Sequence, residues 1–166
     1  MWRGERGNQA ISMSRLKRIM LAILIVLVLL QFIQPARNKS GQALSKDITK
    51  IYSMPDTVQT ILKNACYDCH SNNTAYPWYV NIQPMGWLMA KHIRNGKADL
   101  NFSEFGSYSP RRQTSKLRSI ANSIKDGTMP LPSYTWMHKY ARLTKHEKAV
   151  VIDWVTKTKD SVSIKK

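Results

Sequence analysis

The sequence predicts an all-α fold, a helical domain preceded by a single N-terminal transmembrane helix. Three observations carry this. Residues 19–33 read IMLAILIVLVLLQFI, apolar on every face, with Gln31 as the only polar side chain. Downstream, apolar residues recur at i, i+3, i+4 and i+7 in separate segments, the spacing that lines one face of a helix. No alternating stretch bounded by hairpin-turn residues occurs anywhere.

The apolar run is 15 residues long, short for a full span of ~20 residues and long for the core of a cleaved signal. Its flanks decide between the two. Arg15, Lys17 and Arg18 stand immediately upstream, and the positive-inside rule keeps that side cytoplasmic. No small-x-small cleavage site follows, since the next residues are Gln34, Pro35, Ala36, Arg37 and Asn38. The expected organisation is a cytoplasmic basic segment over residues 1–18 and an uncleaved signal anchor over 19–34. A polar linker over 35–54, a folded domain over 55–157 and a basic tail over 158–166 follow. The chain is then a single-pass protein of the inner (cytoplasmic) membrane with its folded domain in the periplasm.

The formal net charge is +16, and from Pro35 onward 21 Lys and Arg still stand against 9 Asp and Glu. Such a surface favours acidic partners. The basic residues are dispersed and no helix-turn-helix, zinc-finger or RNP pattern is present, so nucleic acid is not an expected partner.

Within the domain, Asp56 is the expected N-cap of a first helix with Val58, Ile61, Leu62 and Ala65 on one face, running straight into Cys66. Tyr76-Pro77-Trp78-Tyr79 breaks the helical pattern and supplies aromatic bulk, either beside the turn that carries Cys66 or as ordinary core aromatics. A second helix is expected over 85–95, ended by Gly96. A third spans about 114–126, with Leu117, Ile120, Ala121 and Ile124 inward and Gly127 as its cap. Thr144-Lys145-His146-Glu147 is a capping box that opens the last helix, with Val150, Val151, Trp154 and Val155 inside.

The only two cysteines lie in Cys66-Tyr67-Asp68-Cys69-His70, the C-x-x-C-H pattern of covalent haem attachment. Two thiols three residues apart on a tight turn reach the two vinyl groups of one porphyrin, and the next residue sets its imidazole under the iron. The expected cofactor is one covalent haem c, held through Cys66 and Cys69 with His70 as proximal ligand. A thioredoxin-type redox pair would need a βαβ setting. A zinc site would have to recruit His92 or His138, and a disulfide across so short a loop would leave His70 without a role.

For the sixth position, Asp126-Gly127-Thr128-Met129-Pro130-Leu131-Pro132 follows the third helix, and Pro130 stiffens the chain just past Met129. Met129 is the leading distal candidate. Met85, Met89, Met137, His92, His138 and His146 are rivals, as is an open iron. A His/Met pair suits electron transfer, whereas an open position admits small gaseous ligands or peroxide.

These residues resemble known sequences. C-x-x-C-H, a later G-x-M-P loop and a closing L-T-x-x-E…W pattern (Leu143, Thr144, Glu147, Trp154) look like small class I-type monohaem cytochromes c. More closely, C-x-x-C-H-S-N-x-T-x-Y-P-W-Y is similar to a haem-binding domain family common in Bacteroidota and related Gram-negative bacteria. So are Trp87, Leu100-Asn101-Phe102-Ser103, Gly127-Thr128-Met129-Pro130 and Tyr134…Ala141-x-Leu143-Thr144. The resemblance covers about residues 55–157. It implies a cytochrome c-like helical fold with haem bound at Cys66, Cys69 and His70, and by analogy Met129 as distal ligand.

The expected function is a periplasmic electron carrier cycling between Fe(III) and Fe(II), docking on acidic redox donors and acceptors through some of Lys63, Lys91, Arg94, Lys97, Arg111 and Arg112. The alternative is a haem-based gas or redox sensor with an exchangeable distal ligand, followed by a small peroxidase using His92 or His138. An electron carrier rather than a catalyst is expected. Trp87, Arg94 and Arg111 are candidates to meet the haem propionates.

Overall fold

The computed structural model describes residues 6–40 and 45–164. Residues 1–5 of the expected cytoplasmic segment, 41–44 of the expected linker and 165–166 of the expected tail lie outside them. Eight α-helices follow one another among the described residues: α1 (Arg6–Leu30), α2 (Ile48–Ile51), α3 (Asp56–Ala65), α4 (Tyr67–His70), α5 (Met85–Asp99), α6 (Pro110–Lys125), α7 (Pro132–Met137) and α8 (Lys145–Ile164). Tight 3-10 turns at Trp78–Asn81, Phe102–Ser107 and Lys139–Ala141 complete the set. There is no strand among the described residues, only an isolated bridge between Lys39 and Asn73. The all-helical expectation is met.

The chain divides into two units, Met1–Ala36 with Pro77–Met89, and Arg37–Tyr76 with Ala90–Lys166. In the first, the uncharged part of α1 ends at Leu30, and residues 31–33 leave the helix through a turn. Twelve uncharged helical residues rise ~18 Å against a hydrocarbon layer of ~30 Å. No helix among the described residues is long and apolar enough to cross a membrane.

The second unit is built on α3, α6 and α8. Val58, Ile61 and Leu62 of α3 meet Leu117, Ile120 and Ile124 of α6 and Val151, Trp154, Val155 and Val162 of α8 in one apolar core. Phe102 and Phe105, both almost wholly buried, close it from the 102–107 turn. Ser109 caps α6, accepting from Arg112 N, and Pro110 occupies the first turn, where a missing N–H costs nothing. The helix therefore starts four residues before the expected start at 114 and seven before Leu117, where the apolar repeat begins. Gly127 at φ 70° takes the left-handed position that ends it.

Four expectations need correcting. Pro55 rather than Asp56 occupies the cap position of α3, and Asp56 is its first helical residue. The helix expected to stop at Gly96 runs on to Asp99; Gly96 is there for a close approach described below, not for termination. The linker expected over 35–54 is tied down at both ends. Asn38 N donates to the Tyr76 hydroxyl (2.6 Å) and Asn38 Nδ2 to Ser71 O (2.8 Å), while Ile48, fully buried, enters the core. The described part of the expected basic tail, residues 158–164, continues α8, and Thr158 and Val162 there are buried.

Candidate functional site

The apolar face of α3 delivers Cys66 to the core side of the larger unit. At Cys66 the backbone leaves the helix (φ −128°, ψ −39°) and re-enters a single turn, with His70 N and Cys69 N both donating to Cys66 O at 3.0 and 3.2 Å. This turn gathers Cys66, Cys69 and His70 on one cleft.

The cleft has a lobe of about 390 Å³ lined by Cys66, Cys69, His70, His92, Met129 and Tyr134, among others. A smaller lobe of about 80 Å³ shares Cys66, His70 and Met129 and adds Leu100, Phe102, Ile120 and Ile124. Thus Cys66, His70 and Met129, the first and last 63 residues apart in sequence, meet on one surface.

His70 is oriented by a contact from far along the chain. Its Nδ1 lies 3.0 Å from Leu100 O. A carbonyl only accepts, so Nδ1 carries the hydrogen and Nε2 keeps its lone pair for a metal. Leu100 O is held in turn by a buried amide network. Asn101 Nδ2 donates to Asn72 Oδ1 (2.8 Å), Ser103 N to Asn101 Oδ1 (3.1 Å), Asn72 N to Ser103 Oγ (3.1 Å) and Asn101 N to the Tyr108 hydroxyl (2.9 Å). Phe102 meets His70 edge-on at 6.2 Å and stacks on Tyr67 at 5.1 Å. In the sequence, residues 100–103 stand out through the family resemblance alone, and nothing marks Asn72 or Asn101 for this role.

Met129 is placed by the end of α6. Thr128 N and Met129 N both donate to Ser123 O, at 3.0 and 3.2 Å, so the loop folds back on the helix that precedes it. Gly96 sets the opposite wall. A Cβ there would lie 2.6 Å from Cys69 O and 3.3 Å from Cys69 Cβ, so only glycine lets α5 press against the C-x-x-C-H turn.

Both cysteines are free. Burial, and then the neighbouring Cys69, pushes the Cys66 thiol up to about 12; burial, and then the Asp68 carboxylate, pushes Cys69 up to about 11. Reactive redox thiols are acidified, the reverse of this. Among the described residues no group of three or more His, Cys, Asp or Glu is arranged to hold a metal ion.

The donor set fits haem. Apolar walls, an imidazole with Nε2 available, a thioether and two unpaired thiols share the cleft, and Gly96 keeps a side chain out of it. Of the distal candidates, Met129 and His92 line the cleft. Met85 and Met89 fall in the other unit. Met137 and His146 are exposed, and His138 is buried, stacked on Tyr134 at 4.1 Å.

Three other assignments change. Trp87, Arg94 and Arg111 do not line the cleft; Lys91 and Lys116 do. Trp78, expected beside the C-x-x-C-H turn or in the core, belongs to the other unit and is 74% exposed. Of the cations expected at a docking surface, Lys63, Lys91, Arg94, Arg111 and Arg112 are exposed, Arg112 lying over the Tyr108 ring, whereas Lys97 is half-buried and donates to Asn38 Oδ1.

No curated protein and no solved structure matches the chain. The haem-binding domain family matches residues 25–157, well over half of the sequence and all of the cleft. By that match the chain belongs to the haem-binding domain family.

Proposed function

We propose that the chain is a membrane-anchored c-type cytochrome that carries single electrons on the periplasmic side of the inner membrane. The observation that carries this reading is the convergence of Cys66, Cys69, His70 and Met129 on one cleft. Cys66 and Cys69 would hold one haem covalently through their thiols, and His70 Nε2 and the Met129 thioether are the groups that would ligate its iron. Bound there, haem supplies one-electron Fe(III)/Fe(II) chemistry. The protein's own part is to fix the imidazole through Leu100 O, to wall the group off with Leu100, Phe102, Ile120 and Ile124, and to offer Lys91 to the propionates, while Lys116 on the same cleft is paired with Asp99 at 2.7 Å. Arg15, Lys17 and Arg18 before the uncharged helix support a cytoplasmic N-terminus. Lys63, Lys91, Arg94 and Arg111 on the surface support an acidic partner.

The test is expression with a cytochrome c maturation system, followed by a denaturing gel stained for haem. A stained band at the mass of the chain that disappears in Cys66→Ala/Cys69→Ala is expected. Absence of stain from well-expressed, exported protein would remove the reading. Electron transfer to an acidic acceptor should slow as salt is raised.

A gas or redox sensor differs at the distal position, and His92 on the same cleft is the group that would hydrogen-bond a bound diatomic. Carbon monoxide binding by the reduced native protein would favour the sensor; exclusion of the gas would favour the carrier. A peroxidase is less well supported, because no arginine is among the residues lining the cleft.

A further inference from the structure

Within the smaller unit, the segments beyond Arg18 have a composition unlike the rest of the chain. Residues 19–36 and 77–89 contain no Asp, Glu, Lys, Arg or His, in a protein of net charge +16. The hydrogen bonds that hold these two segments together come from three glutamines and one indole. Gln83 N donates to Gln31 Oε1 (2.8 Å), and Gln83 Nε2 donates to Gln34 Oε1 (3.0 Å). Gln34 Nε2 donates to Asn81 O (3.0 Å), and Trp87 Nε1 to Ile33 O (2.9 Å). Gln31, the one polar interruption of the apolar run, thereby has a structural reason. Non-helical backbone is thus paired without a charged group, as an approach to the hydrocarbon boundary favours.

The same packing turns apolar side chains outward. Phe32 is 81% and Trp78 74% exposed, and Ile33, Ile82 and Leu88 are also exposed. Gly86 keeps the turn tight, since a Cβ there would overlap the Val80 carbonyl oxygen. This patch continues the apolar surface of α1, whose large side chains from Leu21 to Leu29 are all between 49% and 59% exposed. Exposure on every side fits lipid. A partner helix would cover one stripe and leave the others polar.

We propose that residues 78–88, held on the C-terminal end of α1, form a foot that lies in the lipid headgroup layer and completes an anchor too short by itself. The proposal rests on the reading of α1 as the membrane anchor. Even a fully helical 19–33 segment would rise only ~22 Å against ~30 Å of hydrocarbon. A short apolar stretch draws its flanking groups toward the bilayer. Trp and Tyr are the side chains that favour that interface, and Trp78 packs edge-on against Tyr79 here at 6.1 Å.

The experiment uses the full haem-loaded chain, whose own cysteines are consumed by the haem, with one new cysteine at Ile82→Cys, Leu24→Cys or Thr156→Cys. Each variant is checked for retained haem and given a nitroxide label. It is then reconstituted in vesicles of phosphatidylethanolamine and phosphatidylglycerol. Collisions with oxygen, which concentrates in lipid, are compared with collisions with a water-soluble nickel chelate. The ratio at Ile82→Cys and at Leu24→Cys should be several-fold above that at Thr156→Cys, which reports water. Lipid-like behaviour at Leu24→Cys with water-like behaviour at Ile82→Cys overturns the foot and leaves the anchor standing. The reverse pattern keeps the foot and removes the spanning helix, and water-like behaviour at both removes both. Shielding of Ile82→Cys from both probes means a protein partner or a second copy covers it, which also overturns the proposal.

Discussion

The Tyr134 hydroxyl donates to Asp68 Oδ2 at 2.6 Å. Asp68 lies between the two cysteines and Tyr134 lies just past Met129, so this one bond ties the two sides of the cleft together. Burial, and then the bond to Asp68, raises the tyrosine pKa well above its ordinary value, so the hydroxyl stays a donor across the neutral range.

Tyr134→Phe should therefore lower stability by about 1.5–3 kcal/mol, the range for a hydrogen bond to a charged group. In the haem-loaded protein it should also raise the fraction that binds carbon monoxide after reduction, because Met129 is held less firmly. A denaturant titration and a difference spectrum read the two effects. A loss of stability with no gain in gas binding would show that the bond supports the fold and not the distal position.

Two glycines should respond with different physics. Gly96→Ala in the interior of α5 would ordinarily be favourable by up to ~1 kcal/mol from helix propensity alone. Here the new Cβ meets Cys69 O at 2.6 Å, so the expected change is a loss of about 1–3 kcal/mol together with poorer haem incorporation. At Gly127 the space is open but φ is +70°, and alanine should cost ~1 kcal/mol through backbone strain, leaving haem incorporation near normal. A stabilised Gly96→Ala would show that α5 does not press on the attachment turn.

Asn101→Ala removes both ends of a buried amide. It leaves Ser103 N and Asn72 Oδ1 without their partners, which should cost about 1–3 kcal/mol. The same change frees Leu100 O to move and with it the His70 ring. A broadened or shifted haem spectrum at temperatures well below unfolding is the sign that distinguishes this from a general loss of stability.

The capping box at the start of α8 predicts a pH dependence. Glu147 Oε2 accepts from Thr144 N and Thr144 Oγ1 at 2.7 and 2.8 Å, and these bonds hold its carboxyl below the ordinary 4.5. The folded state thus releases this proton more readily than the unfolded chain. The stabilisation is present above pH 4.5 and is lost as the pH falls through the lowered value. Thr144→Ala should cost ~1 kcal/mol at neutral pH. The difference from the parent should shrink in acid; a difference constant down to pH 3 would contradict the assignment.

Much of this was legible because it is local. The one-face repeats of α3 and α6, the T-x-x-E box and the C-x-x-C-H turn are each written within a dozen residues. Met129 was legible as a distal candidate through its loop of glycine and prolines, and the structure brings it to the cleft with His92 beside it. What escaped was long-range. Gly96 reads as a helix stop, because nothing nearby in sequence shows that Cys69 packs against it. Trp78 reads as core because large aromatics usually are, and its exposure depends on where Gln31 and Gln34 hold the turn. Arg94 and Arg111 read as propionate partners by charge, yet the helical phase of α5 and α6 puts Lys91 and Lys116 on the cleft instead.

The double acceptor at Ser123 O has a wider consequence. Because Thr128 N and Met129 N both hang from the last turn of α6, the thioether travels with that helix, while the imidazole travels with α4 and residues 100–103. The distance between the His70 imidazole and the Met129 thioether is then a dimension of the core, set by how α6 seats against α3 and α8. Side chains such as Ile120 and Ile124 become adjustment screws: trimming or enlarging them changes the width of the cleft between the two donors. On the proposed reading, ordinary core substitutions would shift the spacing of the two groups that would hold the iron, with both of them left in place.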